Sequence, residues 1–281
     1  MAERKWTKEQ QDAIDARQGT LLVSAAAGSG KTAVLVERII QMVTDETNPV
    51  DIDELLVMTF TKAAAAEMRE RIGQAVERKL AEQPDNEHLQ LQSTLVHHAQ
   101  ITTIDSFCLN LIRDHFNVLE IDPGFRIGDE GELMLLRKDV MERLLEDYYE
   151  KGDPEKKALV TGCRDRVKKA VGTLKEAYGS QTEKEAVADL LGTREVVLKL
   201  LELTEEFSRR YQEMKRDKNI VDFNDLEHYA LEVLLEETDE GERTPSAAAD
   251  ELSRQFEEIL VDEYQDSNDV QEARIHAISR E

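Results

Sequence analysis

The sequence predicts an α/β fold with a parallel sheet, interrupted by an all-helical insertion, and three observations carry that prediction. Short runs rich in aliphatic and β-branched residues recur at 20–24, 55–60, 101–104 and 256–261. Runs without polar alternation suit strands covered on both faces, as in a parallel sheet whose crossovers are helices. Helix-periodic patterns follow the first three runs, and residues 129–220 are almost wholly helical in pattern, with no β-branched run to join the sheet. The expected domains are therefore a sheet domain made of 1–122 and 222–281, and a helical subdomain, 123–221, inserted into it.

The first run leads directly into Ala25-Ala26-Ala27-Gly28-Ser29-Gly30-Lys31-Thr32 and then an apolar-periodic helix through Val34, Leu35, Ile39 and Met42. Strand, glycine loop and helix in this order form a phosphate-binding loop. Backbone N–H groups around Gly28 to Gly30 converge on a polyphosphate at the helix start, where unsatisfied donors and the helix dipole favour negative charge. Lys31 supplies a mobile cation for the terminal phosphates, and the Thr32 hydroxyl can ligate Mg2+. The octet departs from Gly-x-x-x-x-Gly-Lys-[Ser/Thr] only at Ala25, where a methyl fits if φ is negative. A mononucleotide triphosphate is the expected ligand.

Upstream, Thr7 reads as the N-cap of a short helix with Gln10 at its third position. A glutamine amide offers a donor and an acceptor together, which is what the adenine N6/N7 edge requires. Its position just before the phosphate loop makes Gln10 the candidate adenine reader. After the second run, Thr59, Phe60, Thr61 and Lys62 open another helix, and Thr103 to Phe107 repeat that logic after the third. Hydroxyls and helix-start amides at strand ends can hold phosphate oxygens, while Phe60 and Phe107 can stack unpaired bases or serve the core. The last run ends in Asp262-Glu263-Tyr264-Gln265-Asp266. Asp262 suits magnesium, Glu263 suits a general base for the attacking water, and Gln265 is placed to orient that water or sense the γ-phosphate.

A helix is expected from Phe223 to about residue 237, with another starting near Pro245. Arg164, Arg166, Lys168 and Lys169 form one basic cluster in the helical segment, read as a solvated face or a nucleic-acid contact. The net charge of −24 argues against diffuse nucleic-acid binding, so any DNA contact must be local. Cys108 and Cys163 lack metal-type spacing and are expected to be reduced thiols. No run approaches the roughly 20 apolar residues that span a bilayer, and the chain opens on polar sequence, so no membrane association and a cytoplasmic location are expected.

Taken together, Gln10, Ala25 to Thr32, Thr59 to Ala64, Thr103 to Phe107, Asp222-Phe223 and Asp262 to Asp266 resemble, in order and spacing, the motifs of superfamily 1A DNA helicases of the UvrD/RecB-like group. Residues 103–108 and 122–130 look most like its AddA branch of helicase-nucleases. The likeness covers 1–130 and 200–281 and is poor over 150–195, where the insertion is short for that branch. Ala33 stands where UvrD-like relatives place an arginine beside adenine.

The resemblance implies a RecA-like P-loop NTPase domain with ATP and Mg2+ at the carboxyl ends of its strands. It also implies movement along single-stranded DNA and unwinding of duplex DNA in double-strand break repair and recombination, together with a nuclease and an AddB-type second subunit. Such helicases continue past Asp262-Glu263 into a second RecA-like domain bearing an arginine finger. The chain is accordingly expected to be an N-terminal fragment whose phosphate site lacks that arginine, a difference of about 10³ to 10⁵ in rate in related transfers.

Overall fold

A computed structural model describes residues 5–17, 19–26, 28–150, 183–238 and 241–279. The chain divides into two compact units, Met1–Glu120 with Phe223–Glu281, and Ile121–Asp222.

The first unit is built around a three-stranded parallel sheet in the order β2-β1-β7, where β1 is Leu55–Thr59, β2 is Gln100–Thr103 and β7 is Glu258–Val261. Leu56 to Thr59 lie opposite Gln100 to Thr103 on one side, and Leu55 to Met58 lie opposite Glu258 to Val261 on the other. All five β1 residues are buried, as a central strand covered on both faces requires. Helix α1 (Lys8–Asp15) starts at a capping box in which Thr7 and Gln10 satisfy each other's backbone N–H groups. Helix α2 (Lys31–Val43) turns Val36, Ile39, Met42 and Val43 inward. Helix α3 (Lys62–Glu82) adds Met68, Ile72 and Val76 to the same core, with Leu55, Val57, Ile101 and Leu260 from the strands. Helices α4 (Glu87–Leu95) and α5 (Ile104–Asp114) complete the first segment.

The second unit holds β3 (Arg126–Ile127), α6 (Glu130–Glu150), α7 (Glu183–Asp217) and β4 (Ile220–Val221). Leu133, Leu136 and Val140 of α6 pack with Tyr211 of α7 and Ile220. The insertion is thus not all-helical: β3 and β4 pair in parallel, Arg126 opposite Ile220 and Ile127 opposite Val221, because two short β-branched stretches at the unit's ends meet. Asp222 lies here in a buried charge cluster, accepting from Lys215 Nζ at 3.0 Å and Tyr211 Oη at 3.2 Å. Cys163 and the basic cluster at 164–169 lie outside the described residues.

After the insertion, the first unit resumes with α8 (Phe223–Leu234), β5 (Leu235–Glu237), β6 (Arg243–Pro245), α9 (Ala247–Gln255), β7 and α10 (Asp269–Ile278). The helix expected to reach residue 237 stops at Leu234, since Leu235 to Glu237 pair antiparallel with Arg243 to Pro245.

The expected strand at 20–24 does not enter the sheet. It carries no ladder partner, and Leu21, Leu22 and Val23 are exposed, Leu22 by 73%. A strand is made by its neighbours, and among the described residues none lies in register to take its N–H and C=O groups.

Candidate functional site

Three elements of the first unit bring the sequence-predicted nucleotide residues together. Gly28 and Gly30 have φ of +78° and +88°, a left-handed conformation that other residues adopt only at a cost, and Gly30 is the N-cap of α2. The loop therefore turns its backbone directly into the helix start, where N–H donors are unsatisfied. Lys31 Nζ donates to the Ala25 carbonyl at 2.9 Å, folding the ammonium back across the loop. Ala25, Ala26 and Ser29 are exposed along it, while Ala27 lies outside the described residues.

Gln10 reaches this loop from α1. Its Oε1 accepts from Thr7 N at 2.9 Å, and its Nε2 donates to the Ser29 carbonyl at 3.1 Å. The capping box and the loop contact are satisfied by one side chain, so the cap orients the amide that faces the nucleotide loop.

Asp262 arrives from the end of β7, where its N–H continues the ladder to the Met58 carbonyl at 2.9 Å. Thr32 Oγ1 donates to its carboxylate, 3.2 Å from Oδ2 and 3.4 Å from Oδ1, across 230 positions of sequence. Burial pushes the Asp262 carboxyl up from the ordinary carboxylate range, opposed by the Thr32 hydroxyl. A hydroxyl and a carboxylate this close are hard oxygen donors of the kind magnesium takes, with phosphate and water completing the shell. Among the described residues no group of three His, Cys, Asp or Glu side chains could hold a metal ion by itself.

The turn after β7 carries the other two candidates. Glu263 has φ of +56°, and Tyr264–Asp266 form one 3₁₀ turn. This backbone sends the chain sharply off the strand end, and the Gln265 amide donates to the Glu263 carboxylate.

The two strand ends expected to meet DNA differ from each other. At β1, Phe60 is 38% exposed, Thr61 and Lys62 are exposed, and Thr59 is buried with its hydroxyl donating to the Thr61 carbonyl at 3.0 Å. Thr61 caps α3 by accepting from Ala64 N. At β2, Thr103 is buried and caps α5, accepting from Ser106 N at 3.2 Å. Phe107, 7% exposed, lies in the core and offers no face for a base. It sits on the apolar stripe Ile104, Phe107, Cys108, Leu111, Ile112, whose spacing marks a packed helix face.

Sequence reading missed Arg38. It is buried on α2, bidentate to Glu258 of β7 with bonds of 2.5 and 3.0 Å, and donates to the Ala13 carbonyl at 2.9 Å. One guanidinium thereby ties α1, α2 and β7, the elements that carry Gln10, Lys31 and Asp262. An arginine one turn after Val34, inside an apolar stripe, was the available signal.

Residues 6–281 match the UvrD/REP helicase N-terminal domain, and the chain belongs to that family. Within it, the chain is 35% identical to the AddA-type ATP-dependent helicase/nuclease protein of Lachnoclostridium phytofermentans over 424 residues, covering 100% of this chain and 31% of the relative. It is 35% identical to the protein of that name from Clostridium perfringens, covering 98% of this chain and 33% of the relative, and 34% identical to that of Clostridium beijerinckii, covering 100% and 34%. The chain thus spans about a third of the length of these relatives. No helix among the described residues is long and apolar enough to cross a membrane.

Proposed function

We propose that this chain carries the ATP-binding and single-strand-contacting part of an ATP-dependent DNA helicase, within a helicase-nuclease that acts with an AddB-type second subunit in double-strand break repair and recombination. The observation that carries the proposal is the approach of Thr32 to Asp262 at 3.2 Å, which joins the phosphate loop to the acidic strand end. The helicase/nuclease name borne by the relatives supports the same reading. In this reading residues 1–122 and 222–281 form a RecA-like ATPase domain and 123–221 its inserted subdomain.

Gln10 reads adenine, the backbone from Ala25 to Gly30 cradles the phosphates, and Lys31 exchanges the Ala25 carbonyl for a terminal phosphate oxygen. Thr32 and Asp262 hold Mg2+, which when bound neutralises phosphate charge. Glu263 takes the proton of the attacking water, and Gln265, already bonded to Glu263, holds that water in line. DNA is met locally, which the net charge of −24 demands, by Phe60 stacking on a base and by Lys62 and the α3 start on phosphates. Thr59 and Thr103 act by shaping these strand ends.

The test is ATP turnover by the complete polypeptide encoded by the gene that carries this sequence, with and without an unstructured single-stranded oligonucleotide. DNA-stimulated turnover is expected, with K31A losing it. E263Q should bind ATP as the parent does and lose about 10² to 10⁴ in kcat. A normal kcat in E263Q would sink the general-base assignment, and nucleotide binding without turnover in the parent would make the chain a binding module. F60A should lose about 1 to 3 kcal/mol of single-strand affinity; unchanged affinity would remove the stacking role.

A further inference from the structure

Outside the nucleotide site, the polar side chains of α8 and α10 converge on one carboxylate, Glu227. It stands one turn into α8, half-buried, where α8 packs against both α5 and α10. Gln271 Nε2 donates to its Oε1 at 2.7 Å, Asn268 Nδ2 approaches its Oε2 at 3.3 Å, and the buried Arg274 Nη2 lies 3.5 Å from Oε1. Arg274 Nη1 also donates to the Cys108 thiol sulfur of α5.

Asn268 and Gln271 are the two halves of the capping box that starts α10. Asn268 Oδ1 accepts from Gln271 N at 2.8 Å, and Gln271 Oε1 accepts from Asn268 N at 3.3 Å. Each amide therefore turns its oxygen to the helix backbone and its NH2 to Glu227. An amide rotated by half a turn would set NH2 against a backbone N–H and lose the cap. A carboxylate, acceptor only, stabilises the working orientation of both. The capped helix is joined directly to the turn that bears Glu263 and Gln265. Ser267 Oγ donates to the Tyr264 carbonyl at 2.5 Å, and the Tyr264 hydroxyl donates to Glu272 of α10 at 2.9 Å.

We propose that Glu227 is a positioning residue for ATP hydrolysis: it locks the Asn268–Gln271 cap, which through Ser267 and Tyr264 fixes the turn that places Glu263 and Gln265. The inference rests on the hydrolytic roles given above to Glu263 and Gln265. Glu227 touches none of the reacting groups, so its loss should lower turnover and spare nucleotide binding.

The test uses the same complete polypeptide, with kcat, KM for ATP and Kd for Mg·ATP measured for E227A, E227Q and Y264F. E227A should lose about 10- to 100-fold in kcat, the scale of a small displacement near reacting groups, with KM and Kd within about twofold. E227Q keeps one acceptor oxygen for Gln271 and should recover to within about threefold of the parent. Y264F removes an exposed hydroxyl, leaves the buried groups alone, and should lose about three- to tenfold in kcat by the same signature. It carries the test if E227A fails to fold. The proposal is overturned if Y264F and either Glu227 variant keep the parent kcat, or if Kd for Mg·ATP weakens in step with kcat. Absence of turnover in the parent itself would instead overturn the functional reading.

Discussion

Residues 55–59, Leu-Leu-Val-Met-Thr, and residues 20–24, Thr-Leu-Leu-Val-Ser, are nearly the same in composition and opposite in fate. The first is β1, central in the sheet and buried at every position; the second is extended, unladdered and exposed. Strand propensity cannot separate them. What separates them is pairing: β1 has β2 on one side and β7 on the other, while 20–24 has no ladder among the described residues. The glycine loop that begins at the end of 20–24 is therefore held by point contacts, from Gln10 to Ser29 and from Lys31 to Ala25, and by the start of α2, whereas Asp262 is held by a strand.

The largest expected effect of this difference is in hydrogen exchange. Amides of Leu56 to Met58 should exchange only on global opening and run at least about 10³-fold slower than those of Leu21 to Val23 in nucleotide-free protein. Equal protection of the two segments would show that 20–24 pairs in solution and would break the comparison. Next comes stability: L56A should cost about 2 to 5 kcal/mol in urea unfolding, and L22A no more than about 0.5 kcal/mol. A large cost for L22A would place that leucine in a core. The smallest effect concerns the two loops that flank α2.

Unlike the phosphate loop, the loop after α2 is pinned by one carboxylate. Asp45 accepts from Thr47 N and Thr47 Oγ1, both at 2.7 Å, and from Asn48 N at 3.0 Å. The Asn48 N–H first, then the Thr47 hydroxyl and N–H, pull its pKa down to about 2. A carboxyl lowered from its unfolded value near 3.9 contributes stability above that value and loses it as pH falls towards 2. D45N should thus be less stable than the parent at pH 7 and equal to it near pH 2, as read by thermal unfolding. A difference that persists at pH 2 would assign the effect to something other than the charge.

What could be read in advance was local chemistry. Thr7, Thr61 and Thr103 were legible as helix starts because a cap needs only its own first turn. Lys31, Thr32 and Asp262 were legible because a triphosphate site demands those groups, whichever strands deliver them. The β5–β6 hairpin, the Arg38–Glu258 pair and the Glu227 cluster were not, since each depends on which distant element lies opposite. Phe107 departs from expectation for a different reason. Its place at a strand end suggests exposure, while its place on the 104–107–108–111 stripe requires burial, and packing prevails.

The pairing of β3 with β4 has a topological consequence. Because Arg126 lies beside Ile220, the second unit begins and finishes at backbones about 5 Å apart. From the standpoint of the first unit, everything between is a closed excursion that leaves and returns at one point. Closing such a loop costs only about 0.6 kcal/mol more for each doubling of its length. Sequence can be gained or lost inside that excursion without moving a residue of the sheet, which makes it a place where relatives are free to diverge in size. The 424-residue span over which this chain of 281 aligns with its Lachnoclostridium relative shows that such length differences have accumulated in the family.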